Sequence, residues 1–315
     1  MNLDEEIRDG YTISKEMKRL WAVQMDLARK LLDVCRKHNL RIWADSGTLL
    51  GVVRHKGHIP WDDDMDFMML REDYDKLAKL ADEFEYPYFL QNGHTEPGYD
   101  RFHMQLRNST TTCILPADIW REFNQGVFID IFVLDFVPGK QEDFAAELVK
   151  TKDIREKLRF RNYGSLLTRN MPYNMKLLKA GLYCVRHGFY NLFCEAEQAY
   201  RNMSANISDK TDENGRLWAY GIFTWAKCPL RPSIYSDTEW LPFEDMELPV
   251  PKGWDERLRA EYGQNYMMPS TAPSCHGSII FDTERPYTEV LRKLRKKAGW
   301  KGRLRAAFML PRIKK

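Results

Sequence analysis

The chain has 315 residues, 43% of them apolar and 30% charged, with a formal net charge of +3 at neutral pH. A chain of that length buries roughly three quarters of its unfolded surface without staples, so a disordered, collagenous or small disulfide-built protein is excluded. Its longest stretch without Asp, Glu, Lys or Arg, residues 262–281, carries two prolines and several polar side chains and is not a membrane span.

The first residues are acidic where a signal peptide is basic and then apolar, so the expected location is cytoplasmic. Cys35, Cys113, Cys184, Cys194, Cys228 and Cys275 form no Cys-x-x-Cys pair and are expected to be reduced thiols, mostly buried. Met17, Leu20, Trp21, Leu27, Ala28, Leu31 and Val34 recur at three- and four-residue steps and predict an amphipathic helix over 13–39. A short strand at 41–44 runs into the small-residue turn Asp45-Ser46-Gly47-Thr48, with a second helix starting behind it at 49–53. Residues 61–70 alternate as a strand, 71–83 return to helical spacing, and 86–90, 102–106 and 127–134 read as further strands. From 142 to about 204 the pattern is helical. Beyond Pro229 the chain is rich in Pro, Trp and Tyr and reads as irregular, apart from a short helix at 254–262. The mixture predicts an α/β or α+β fold: a core over 1–140, a helical and loop-rich elaboration over 141–291, and a tail over 292–315. The tail holds eleven Lys and Arg and no acid, leaving 37 basic against 45 acidic side chains in the body. Leu294, Trp300, Leu304 and Phe308 interleave with that charge, which suits a helix on an anionic membrane surface. A solvated basic terminus has the same composition, as does a nonspecific nucleic-acid contact.

The chemistry concentrates at Asp62-Asp63-Asp64-Met65-Asp66, four carboxylates in five positions. Like charges about 4 Å apart repel by roughly 4 kcal/mol at an effective dielectric of 20, so the cluster needs a reason. If the segment is a strand, Asp62, Asp64 and Asp66 share one face, Met65, Phe67 and Met69 take the other, and Asp63 faces away. Three hard-oxygen ligands on one face suit Mg²⁺ or Mn²⁺; the alternative is a solvated acidic patch. Amides at a turn such as Ser46-Gly47-Thr48 hold phosphate oxygens when a helix follows, although Ser-Gly-Thr is also a common turn. Asp130 stands alone inside Phe128-Ile129-Asp130-Ile131-Phe132, and such a carboxylate is paired, binds a metal, or caps a strand end.

Small-residue turn, Asp-x-Asp strand and a later strand Asp together resemble the nucleotidyltransferase (polymerase-β-like) superfamily. Gly47-Thr48-Leu49-Leu50-Gly51, Arg54-His55-Lys56-Gly57 and Ile59-Pro60-Trp61-Asp62-Asp63-Asp64-Met65-Asp66 resemble the signature of the LicD family, which includes bacterial phosphocholine transferases and the fukutin-related phosphotransferases. Asp130-Ile131-Phe132-Val133-Leu134-Asp135 is similar to a later element of that family, with Val133 where Pro is usual. Glu261-Tyr262-Gly263-Gln264-Asn265-Tyr266 is similar to its closing Tyr-Gly-x-x-Tyr element.

The resemblance implies a nucleotidyltransferase mixed-sheet core with a helical elaboration. It also implies transfer of a substituted phosphate from a CDP-alcohol such as CDP-choline to a hydroxyl of a glycan or lipid-linked glycan. In that reading Asp64 and Asp66 bind Mg²⁺ (or Mn²⁺), Asp62 is a further ligand or supports the ligands from behind, and Asp130 bridges the metal or deprotonates the acceptor. Ser46, Gly47 and Thr48 hold donor phosphate, and Arg54, His55 and Lys56 neutralise its charge, with a solvated loop position as the other reading of His55. Arg107 is a further phosphate contact or a strand-end Arg, and His276 closes over the site or is an ordinary loop residue. Trp218, Tyr220, Phe223 and Trp225 are assigned to core packing before a cage for an ammonium group. No nucleic-acid partner is expected, and the tail would hold the protein at the inner face of the membrane. Three other readings compete. An Asp-x-Asp glycosyltransferase needs a nucleotide-binding sheet for which the residues before Asp62 leave no room. A nucleotidyltransferase would leave the nucleotide on the acceptor. An inactive membrane scaffold would have no use for intact Asp62, Asp64, Asp66 and Asp130.

Overall fold

A computed structural model describes residues 1–96, 99, 101, 103–137, 216–219, 230–269 and 279–309, with isolated positions between 142 and 185. The chain opens with a hairpin, β1 (Glu6–Arg8) and β2 (Tyr11–Ile13), too short to show as alternation. Helix α1 (Lys15–Lys37) starts where the Ser14 hydroxyl accepts from the Met17 amide at 3.2 Å, carries Glu16 in its first turn and ends on Arg36 and Lys37. Its stripe of Leu20, Trp21, Leu27, Ala28 and Leu31 is almost wholly buried, each large side chain contributing about 1.5–3 kcal/mol.

Then come β3 (Trp43–Ala44), α2 (Ser46–His55), β4 (Asp66–Leu70), α3 (Arg71–Leu77), β5 (Tyr88–Gln91), β6 (Met104–Asn108), β7 (Thr112–Ile114) and β8 (Val127–Val137). After them are β9 (Arg216–Ala219), β10 (Thr238–Phe243), β11 (Met246–Pro251), α4 (Trp254–Tyr262), β12 (Ile280–Asp282) and α5 (Tyr287–Met309). The principal sheet runs β3-β4-β8-β6-β5, with β9 extending β8; β4 and β8 are parallel and the other pairings antiparallel. Helices and a mixed sheet share the core, which is compatible with the α+β alternative of the expected classes.

Alternation along β4 and β8 divides the sheet's two faces. Phe67, Met69, Ile129, Ile131 and Val133 join the large core that includes the α1 stripe. Met68, Leu70, Phe132 and Leu134 point the other way, against Trp43, Leu230, Ile234 and Tyr235, and share that face with Asp66 and Asp130.

Three expectations change. Regular strand begins only at Asp66, so residues 62–65 enter β4 as a loop and strand parity does not govern them. Residues 238–251 form the hairpin β10–β11 despite Pro242, Pro249 and Pro251, which a two-stranded ribbon accepts on its unpaired edges. The basic segment does not start as a separate tail: α5 begins at Tyr287, packs Val290, Leu291 and Leu294 with Ile114 and Ile119, and turns at Gly299, whose φ is 62°. Cys35 and Cys113 are buried free thiols, and the other four cysteines lie outside the described residues. Among the described residues no helix is long and apolar enough to cross a membrane.

Candidate metal centre

The register of two parallel strands builds the site. Asp66 on β4 pairs with Asp130 on β8, and registered residues on neighbouring strands project from the same face. The loop before β4 adds Asp64, so carboxylate oxygens of Asp64, Asp66 and Asp130 lie within 4.8 Å of one another. Those of Asp62, Asp63 and Asp64 do the same. Asp63 therefore does not turn away from the cluster, as a continuous strand would require. Its place is set by the loop backbone, which helix α1 grips through main-chain oxygens. Trp21 Nε1 donates to the Asp62 carbonyl at 2.9 Å and Gln24 Nε2 to the Asp63 carbonyl at 2.8 Å, and the Asp130 amide donates to the Met65 carbonyl at 2.9 Å.

The start of α2 closes the other side. Asp45 N–H donates to the Asp66 carbonyl at 3.0 Å, and Asp66 N–H donates to Thr48 Oγ1 at 2.8 Å. Thr48 thus fixes the first residue of β4. A Cβ on Gly47 would lie 2.5 Å from Asp62 Oδ2, so only glycine lets this carboxylate rest against the helix. Ser46 has a left-handed φ of 47°, a conformation that costs about 1–3 kcal/mol off glycine and tends to gather at functional sites. Its hydroxyl is within 3.4 Å of Asp45 Oδ2 and Glu261 Oε2, and Arg257 bridges those two carboxylates at 2.7 Å each.

Burial first, and then the charges of Asp64, Asp130 and Asp62, push the Asp66 carboxyl well above the ordinary aspartate range. Burial works in the same direction on Asp130, but the neighbouring His103 and hydrogen bonds from His103 and Gln105 outweigh it and hold that group below the range. Burial and four surrounding carboxylates, Glu261, Asp66, Asp45 and Asp62, raise the Tyr262 phenol. Such an excess of negative charge suits a hard divalent cation. Ligands about 2.1 Å from an octahedral Mg²⁺ stand roughly 3 Å apart when adjacent and 4.2 Å when opposite, inside the spacing of Asp64, Asp66 and Asp130. The donor set fits the ion.

The basic residues of the Arg54-His55-Lys56 run have separate fates. Arg54 Nη1 donates to the Tyr266 carbonyl at 2.9 Å, and its pKa, lowered mainly by burial, is supported by Tyr262, Asp9 and Asp62. It is the cation of the run nearest the cluster in electrostatic terms. His55 is not a phosphate-facing charge: Nε2 accepts from Arg54 Nε at 2.8 Å, Nδ1 lies 2.9 Å from Asp9, and burial followed by Arg54 lowers its pKa. Lys56 sits exposed at the far end of α2 with φ 53°, where its carbonyl accepts from the Glu244 amide at 2.8 Å. Arg107 is wholly buried, bonded to Gln91 and Gln105 at 2.5 Å and to the Gly126 carbonyl at 2.7 Å, and presents no donor to the cluster. Its strand-end place suggested exposure, but β6 is an inner strand. His276 lies outside the described residues, as do Tyr220, Phe223 and Trp225. Sequence reasoning did not single out His103 or Gln105, whose only signal was alternation with Arg107. Nor did it find Arg257, the partner of Asp45.

With that geometry established, comparison with known proteins gives its class. Residues 39–150 match the family described as LicD/FKTN/FKRP, nucleotidyltransferase domain. The lipopolysaccharide cholinephosphotransferase LicD of Haemophilus influenzae is 24% identical over 242 residues, 75% of this chain and 86% of that protein. Residues 39–150 thus carry a domain of the LicD type. An uncharacterized protein of Rickettsia prowazekii is 31% identical over 135 residues, 43% of this chain and a little under half, 46%, of its own length.

Proposed function

We propose that this chain is a metal-dependent transferase that moves a substituted phosphate, phosphocholine or a similar group, from a CDP-linked donor to a hydroxyl of a cell-surface glycan precursor. The observation that carries the reading is the convergence of Asp64, Asp66 and Asp130 across the parallel β4–β8 pair, inside the segment that matches the LicD family. The Haemophilus relative, named a lipopolysaccharide cholinephosphotransferase, supports the phosphocholine class and a glycan acceptor. The parallel strands with α2 behind a small-residue turn are consistent with a nucleotidyltransferase-type core.

A divalent ion at these carboxylates would stabilise negative charge on the diphosphate and on the attacking oxygen. Asp64, Asp66 and Asp130 would hold it, with Asp62 beside them against Gly47. Asp130, kept ionised by its partners, suits the role of ligand better than that of base. Arg54 supplies fixed positive charge at the rim. The acceptor oxygen forms a bond to the phosphorus that carries the substituent, the bond from that phosphorus to the bridging oxygen breaks, CMP leaves, and the hydroxyl proton passes to solvent. Incubation with CDP-choline, Mg²⁺ and a lipopolysaccharide-type acceptor should release CMP and leave phosphocholine, without cytidine, on the glycan. Full turnover in excess EDTA would refute the metal dependence. A cytidine-bearing acceptor would instead indicate nucleotidyl transfer.

The basic segment from Arg292 onward fits an anionic leaflet, which would bring the site to a lipid-linked acceptor. Chains lacking residues 301–315 should lose binding to acidic vesicles while keeping turnover on a soluble acceptor, and binding by the intact chain should weaken steeply between low and physiological salt.

A further inference from the structure

Behind the cluster, on the side away from α2, lies a buried polar chain that the sequence motifs do not touch. Gln105 and Arg107 are side by side on β6, exposed by 0% and 1%. Gln105 stands in register with Asp130, and its Nε2 donates to Asp130 Oδ1 at 2.6 Å. Its Oε1 accepts from Arg107 Nη2 at 2.5 Å and from Arg101 Nη1 at 3.2 Å. The amide has one tenable orientation, since a flip would turn its N–H groups onto two guanidinium groups. Arg107 is itself held by Gln91 Oε1, by the Gly126 carbonyl and by the face of Phe128, 4.8 Å from its ring centre. Gln91 in turn donates to Glu96. A buried guanidinium bonded to amides and a carbonyl costs several kcal/mol in desolvation, more than fold stability alone requires.

The chain ends on a single oxygen. His103 Nε2 lies 3.0 Å from Asp130 Oδ1, the same atom that Gln105 reaches, and its ring packs on Phe132 with centres 4.6 Å apart. We propose that Gln105, oriented by Arg107, and His103 are positioning residues that hold Asp130 Oδ1, so that Asp130 offers the cation one oxygen, Oδ2, in a fixed direction. Monodentate binding leaves room on the ion for substrate phosphate, and a carboxylate with one oxygen tied cannot swing to chelate with both. This inference rests on the cation reading of Asp64, Asp66 and Asp130.

The test is the affinity of the purified full chain for Mn²⁺, read by calorimetry and by the Mn²⁺ spin-resonance signal well below the melting temperature. Gln105→Met keeps the volume and removes the donor. His103→Phe keeps the packing on Phe132 and removes the other, and it decides the matter where Gln105→Met does not fold. Each folded variant is expected to bind Mn²⁺ about tenfold or more weakly, with the double variant approaching Asp130→Asn. Affinities equal to wild type in the folded variants would overturn the positioning role and leave the cation reading intact. Absence of Mn²⁺ binding by the wild-type chain would overturn both.

Discussion

Asp130 and Asp135 lie five positions apart on β8, exposed by only 5% and 0%, and the protein treats them in opposite ways. Asp135 faces the core and meets Arg71, whose Nε and Nη2 bind its two oxygens at 2.7 and 2.9 Å. The charges cancel within one pair. Asp130 faces the other way and meets Asp66 and Asp64, where like charges add. Burial of an aspartate therefore says nothing by itself about function. The sign of its neighbours does: Asp130 has His103 at one oxygen but shares its site with two further carboxylates, an excess of negative charge that suits an added cation.

Substitutions can break that contrast. Asp64→Asn and Asp66→Asn should each abolish CMP release while the protein keeps a cooperative melt, since each removes a like charge; Asp130→Asn should also abolish it and keep the melt, since an amide oxygen remains for Gln105 to reach. Asp135→Asn should do the reverse. It strands the Arg71 guanidinium and should cost about 3–5 kcal/mol in denaturant unfolding, with residual activity following the folded fraction. Collapse of the fold in Asp66→Asn, or a neutral Asp135→Asn, would erase the distinction. A smaller effect is expected at Gly47→Ala, where the new methyl displaces the movable Asp62 carboxylate: turnover should fall on the order of tenfold with little change in melting temperature.

A further effect concerns pH. Asp66 has its carboxyl raised by burial and by its acidic neighbours, so folding takes up a proton there that the unfolded chain has released above its ordinary value of 3.8. That cost grows as pH climbs from 3.8 toward the raised folded value and is absent below it. In cation-free buffer Asp66→Asn should thus be more stable than wild type at pH 7, by about 1.4 kcal/mol for each unit by which the folded value is raised, up to pH 7. The advantage should shrink toward pH 5, and a gain that held constant across that range would contradict the assignment.

The two aspartates also mark what sequence can disclose. Asp62 to Asp66 is conspicuous because its charge sits among Trp61, Phe67, Met68 and Met69, where an ordinary acidic loop has polar neighbours. Asp130 stands out in the same way, and α1 is legible from its three- and four-residue periodicity. The side of Asp63 was misread because period-two alternation holds only within regular strand, and β4 begins three residues later. Arg107, His103 and Gln105 depend on which strand lies beside β8, a long-range pairing that no local pattern encodes. The fate of His55 likewise rests on Asp9, nearly fifty residues before it.

Because Trp21 and Gln24 hold the acidic loop by main-chain oxygens from within the core helix, the loop has no separate hinge on which to open. Loss of the carboxylate cluster and loss of the hydrophobic interior become a single event. On gradual heating the temperature of half-inactivation and the midpoint of global unfolding should coincide, and the Asp130 amide should exchange with deuterium only as slowly as the whole domain unfolds.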